Sequence, residues 1–192
     1  TLITSSAASD VYKRQEKGVT AAELAYEILI ENDGNNFIYA PLVNYADHTF
    51  GVCKKMLDDK NAIMGLGDGG AHVGFILDAG YPTWLISYWS VKKKAYSMEE
   101  TVRRLTSDTA NAAGLNDRGL LKVGLKADIN IIDWENVGSS DPFMTQDLPA
   151  GGKRLMQHTQ GYVTTIVSGK VTYKNGEFTK ERPGTVVKSV KD

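Results

Sequence analysis

The chain is 192 residues long and 42% hydrophobic, with 22 basic against 23 acidic residues for a net charge of −1. That is enough apolar material to bury a core and to hold one domain or parts of two, and the charge balance points to neither a nucleic-acid nor a membrane-surface partner. A single cysteine, Cys53, excludes an intrachain disulfide and fits a reducing, cytoplasmic compartment, and no apolar run spans a bilayer, nor does a basic-then-apolar signal segment open the sequence.

The run "SSAASDVYKRQ", Ser5 to Gln15, has no periodicity and does not lead into the helix that follows. It resembles the one-frame translation of a transposase adapter used to prepare sequencing libraries. Residues 1–15 are therefore expected to be a non-native tail that packs against nothing, with native sequence starting near Glu16 and an N-terminal part missing. An ordinary disordered tail is the alternative.

Thr20 and Glu23 form a capping box, a hydroxyl and a carboxylate three apart at a helix start. The helix "TAAELAYEILIEN" has an apolar face of Leu24, Ile28 and Leu29, and Asn32, Asp33 and Gly34 end it. "NFIYAP" is expected to be a strand. Asp47 can cap "HTFGVCKKMLDD", whose Phe50, Cys53 and Met56 are spaced for one helix face. "NAIMGLG" is a short continuous apolar run, the pattern of a strand buried on both sides. Helix, strand, helix, strand predicts parallel βα units.

"PTWLISYWSVKKKAYS" predicts a helix starting at Pro82, a favoured first-turn position. Ser97 and Glu100 form a second capping box, opening "MEETVRRLTSDTANAAGL", which Gly114 ends. The texture then changes to strands and turns, with a domain boundary near 118–125. "KADINIIDW" is a predicted strand with Asp128 at its start, and Gly119 and Gly124 make turns before it. "GYVTTIVSGKVTYKNGEFT" holds two β-rich runs, and Asn175 with Gly176 is a hairpin turn signal because both tolerate positive φ.

Between the two halves stands "IMGLGDGGAHVG", where Asp68 and His72 are packed among Gly65, Gly67, Gly69 and Gly70. A phosphate-binding loop is a poor fit, because an acid sits where phosphate would approach and no Lys-Ser/Thr follows. Nor do His48, His72 and His158 form a His-x-His pair or any other spacing that could assemble the three or four ligands of a catalytic zinc. Two readings of Asp68 remain: a catalytic carboxylate at the C-terminal end of a barrel strand, where glycines leave room for substrate, or a turn-capping acid. His72 is a substrate contact or a packing residue at a helix start.

"GLGDGGAHVGFILDAGYPTWLISYW", "TSDTANAAGLNDRGLLKVGLKADINIID" and "DLPAGGKRLMQHTQGYVTTIVSGKVTYKNGE" resemble, in order, the C-terminal region of N-acyl-D-amino-acid deacylases, a branch of the amidohydrolase superfamily. The second stretch is shared across many amidohydrolases, while "GDGGAHVGF" and "DLPAGGKRL" are more particular to this branch. The resemblance implies the C-terminal part of a metal-dependent (β/α)8 barrel over 16–118 and part of a small β-sandwich domain over 119–192. It implies that Asp68 is both a zinc ligand and the acid–base residue, taking a proton from the water that a zinc ion activates and handing it to the leaving amine. Gly67 stands where relatives often have serine. The histidine pair expected after the first barrel strand and the middle-strand ligands are absent from this sequence, so the chain itself is expected to be inactive. The substrate implied is an N-acyl-D-amino acid. The rivals are a related amidohydrolase acting on a cyclic amide or small dipeptide, and a non-catalytic β-rich binding module with a helical cap.

Overall fold

A computed structural model of the chain describes residues 14–39, 44–45, 47–65 and 67–187. It holds two compact units, one ending at Ala62 and one beginning at Ile63. No described helix is long and apolar enough to cross a membrane. Most of the predicted adapter tail, including Val11 and Tyr12, lies outside the described residues. Arg14 and Gln15 are exposed and begin a helical turn over 14–17, and their carbonyls accept from the amides of Val19 and Gly18.

In the first unit, helix α1 (Ala21–Gly34) starts from the predicted capping box. Thr20 Oγ1 accepts from Glu23 N at 3.2 Å, and Glu23 Oε2 accepts from Thr20 N at 2.8 Å. This settles two of the amides that a helix start leaves without partners. Asn32, Asp33 and Gly34 turn left-handed, with φ of 54°, 56° and 75°, and stop the helix where the sequence predicts. Its inward residues are Leu24 and Ile28, whereas Leu29 is 45% exposed.

The predicted strand over 36–41 does not form among its described residues. The Asn36 amide instead folds back to donate to Ile28 O at 3.2 Å. Helix α2 (Gly51–Asp58) is not capped by Asp47. That carboxylate accepts from Thr49 N and Thr49 Oγ1, closing a local turn three residues too early. Its half-buried face is Phe50, Cys53 and Leu57, with Met56 outside it.

The parallel βα arrangement is absent among the described residues. Residues 61–65 join no ladder, because the amides that should enter one are committed locally: Asn61 N donates to Asp59 Oδ1 and Ala62 N to Asp59 O. Ile63 is 52% exposed. An apolar run becomes a strand only where a neighbour offers matching hydrogen bonds, and none is offered here.

The second unit carries the core. Helix α3 (Tyr81–Trp84) has Pro82 in its first turn, as predicted, and runs into a π-helical stretch (Leu85–Lys92). The wider π winding puts Leu85, Ile86, Trp89 and Ser90 on one buried side. Helices α4 (Met98–Leu105) and α5 (Ser107–Ala112) follow, separated at Thr106. Ser97 Oγ caps Glu100 N at 3.1 Å, but the reciprocal half of the predicted box is lost, because Glu100 is engaged by the guanidinium of Arg104 four residues on.

Every strand pairing among the described residues of this unit is antiparallel. A four-stranded sheet has the order β1 (Ile129–Ile132), β6 (Tyr162–Val167), β7 (Lys170–Lys174), β8 (Glu177–Phe178). Beside it are the pair β2 (Gly138–Ser139) with β5 (Thr159–Gln160), and the hairpin of β3 (Phe143–Leu148) with β4 (Gly152–Met156). Asn175 and Gly176 have φ of 50° and 83° between the paired Lys174 and Glu177, so the predicted two-residue hairpin turn is present. Asp128 ties the start of β1 to the β6–β7 turn by accepting from Ser168 N at 2.8 Å. The whole is a mixed α/β structure.

Candidate active site

The glycine-rich loop lies in the second unit, and its glycines are explained by two different demands. A Cβ at position 67 would stand 2.8 Å from Asp78 O and 3.2 Å from Asp78 Cγ, and one at position 69 would stand 2.6 Å from Ala79 Cβ. Gly67 and Gly69 are therefore small because the segment 78–79 presses against them. Gly70 has open space around it but a φ of 99°, a conformation that side chains resist. The departure at Gly67 has a local cause: a serine there would collide with the Asp78 backbone.

Asp68 is held through its backbone. Its amide donates to Asp78 Oδ2 at 2.6 Å, and its carbonyl accepts from Ala71 N at 3.0 Å. The side chain is exposed, and its carboxylate makes no hydrogen bond or ion pair with any described residue. Residues 69–75 form successive turns rather than a helix. His72 sits among them at a φ of 46°, exposed, with its ring stacked on Phe75 at 5.1 Å between centroids.

Next to the loop is a cavity of about 860 Å³ whose lining includes Gly69, Gly70, Val73, Asn130, His158 and Tyr162. The loop is bound to that wall by Leu155 N, in β4, which donates to Val73 O at 2.8 Å. Asp68 and His72 are not among the residues lining the cavity. Sequence reasoning missed its far side, since Asn130 and Tyr162 are brought there by the sheet and carry no motif. It also missed Asp78, whose signal was an acid inside the "GFILDAGYP" stretch.

"DLPAGGKRL" is the β3–β4 hairpin. Asp147 and Arg154 face each other across it in a two-pronged pair of 2.7 and 2.6 Å. The guanidinium's hydrogen bonds hold the Asp147 carboxyl below its ordinary range.

The residues present do not by themselves fit a metal ion. Among the described residues, no three His, Cys, Asp or Glu side chains gather as a metal site would require. His48 lies in the first unit beside Tyr45, and His158 packs on Phe143 at 4.8 Å.

The chain matches the amidohydrolase family over residues 39–173, more than half of its length. A curated relative is the dihydroorotase of Lactobacillus acidophilus, 33% identical over 89 residues, which covers 44% of this chain and 20% of that protein. No solved structure matches the chain.

Proposed function

We propose a function on one premise: the chain belongs to the amidohydrolase family. Our reading is that it forms the C-terminal part of a longer enzyme that hydrolyses an amide bond, with Asp68 as the proton-transfer residue. The observation that carries this is the exposed Asp68 carboxylate, unengaged by any described residue, on a loop inside the matched region.

In this reading a water oxygen bonds to the amide carbon while Asp68 takes one of its protons. The carbon–nitrogen bond then breaks, and Asp68 returns the proton to the departing nitrogen, leaving a carboxylic acid and an amine. One carboxylate acting first as base and then as acid suits such a two-step transfer. Family members are generally metal-dependent, and a zinc ion, if bound, would supply a nucleophilic hydroxide near neutral pH. Its remaining ligands would have to come from outside the described residues.

The substrate we favour is an N-acyl-D-amino acid, on the strength of the "GDGGAHVGF" and "DLPAGGKRL" stretches. A cyclic amide is the second reading, favoured by the likeness to a dihydroorotase. The longer protein carrying this segment, assayed with zinc on N-acetyl-D-amino acids, their L enantiomers and dihydroorotate, tests both. Hydrolysis selective for the D compounds supports the first, and ring opening supports the second. Failure to cleave any amide would overturn the function.

A further inference from the structure

Asp78 bonds to the candidate catalytic loop, and nothing in the proton-transfer scheme uses it. Its Oδ2 accepts the Asp68 amide at 2.6 Å. Its Oδ1 is buried, with no hydrogen-bond partner among the described residues. Its own carbonyl accepts from Tyr81 N at 3.3 Å, at the start of α3. The same residue thus joins the loop to the base of the helix that carries the buried core residues Leu85, Ile86 and Trp89. Gly67, immediately before Asp68, is stripped of a side chain where a Cβ would strike Asp78 O and Cγ.

We propose that Asp78 is a positioning residue for Asp68, fixing the backbone from which the catalytic carboxylate projects; this rests on the catalytic role assigned to Asp68 above. The short bond from the Asp68 amide to the Asp78 side chain, at 2.6 Å, fixes the loop at the residue that carries the carboxylate, while Leu155 N holds it further on at Val73 O. A buried oxygen without a partner is costly, and such a cost persists where the surrounding structure over-determines the group's position. The absent Cβ at Gly67 allows the two segments to approach closely enough for the bond to form. Proton transfer depends on placement to within a fraction of an ångström, and a displacement of about 1 Å can cost about a hundredfold in rate. A carboxylate on an exposed loop needs such an anchor more than one at the end of a paired strand does.

The test has two arms. In the 192-residue chain, amide hydrogen exchange and the amide proton shift are read at Asp68. Asp78→Ala should speed exchange at that amide about tenfold or more and move its resonance upfield, while the tryptophan near-UV signal of the core is unchanged. Asp78→Asn, whose side-chain oxygen still accepts the amide, should keep most of the protection. In the longer enzyme, Asp78→Ala should lower kcat about ten- to a hundredfold with KM little changed, and Asp78→Asn should restore most of it.

An Asp68 amide indifferent to Asp78→Ala overturns the anchor. A changed amide with unchanged kcat, in an enzyme that Asp68→Asn inactivates, overturns the positioning role and leaves the function standing. Full activity of Asp68→Asn overturns the catalytic reading itself, and with it the role assigned to Asp78.

Discussion

Thr83 Oγ1 and the Tyr162 hydroxyl meet at 2.9 Å, joining the first turn of α3 to the start of β6 across 79 residues of sequence. Thr83 is 4% exposed, so its hydroxyl has little recourse to water. Tyr162→Phe should therefore cost about 1–3 kcal/mol by leaving Thr83 without its partner. Adding Thr83→Val should cost less than the sum of the single changes, because the double variant strands no polar atom. A double-mutant cycle from denaturant midpoints measures this, and strict additivity would mean that the bond does not link helix and sheet.

The β3–β4 hairpin gives a pH prediction. Hydrogen bonds from Arg154 hold Asp147 below its ordinary range, with the guanidinium charge adding to them against the opposing effect of burial. Arg118 does the same to Asp117. A carboxyl whose folded-state pKa is depressed stabilises the fold above the unfolded value of about 3.9, and that contribution is lost as pH falls through the folded pKa. Denaturation midpoints should thus drop as pH falls below about 4, and Arg154→Gln should narrow the drop. A drop as large in Arg154→Gln as in the parent would show that the pair does not couple to folding.

Metal binding should separate the 192-residue chain from the longer enzyme proposed above. With no cluster of potential ligands among the described residues, the 192-residue chain should bind zinc only weakly and should not hydrolyse N-acyl-D-amino acids. Calorimetric titration with zinc and an amine-release assay check this. Tight stoichiometric binding, or zinc-supported turnover by the chain alone, would contradict it.

Local signals in the sequence were read well, because local chemistry decides them. The box at Thr20 and Glu23, the stop at Asn32 to Gly34, Pro82 in a first turn and the hairpin at Asn175 and Gly176 depend on neighbours a few residues away. The strand predicted over 61–67 does not form among its described residues for the complementary reason: its apolar run is legible, but strand partners are not written in the run itself, and Asp59 claims its first amides. Asp47 and Glu100 had competing partners, Thr49 and Arg104, which spacing alone did not rank. The loop around Asp68 is picked out by its glycines, yet two of them prove to be small because of Asp78 and Ala79, contacts about ten residues away in sequence that no periodicity reveals.

If Asp68 moves a proton, Asp68→Asn in the longer enzyme should stop the reaction without disturbing the fold. The Asp68 contacts to the fold run through its amide and carbonyl, so asparagine should leave the structure and its thermal midpoint essentially unchanged. It cannot accept a proton near neutral pH, so kcat for amide hydrolysis should fall by about a hundred- to ten-thousandfold. A folded Asp68→Asn enzyme that retains the parent's kcat would contradict the account and return Asp68 to the role of a turn residue.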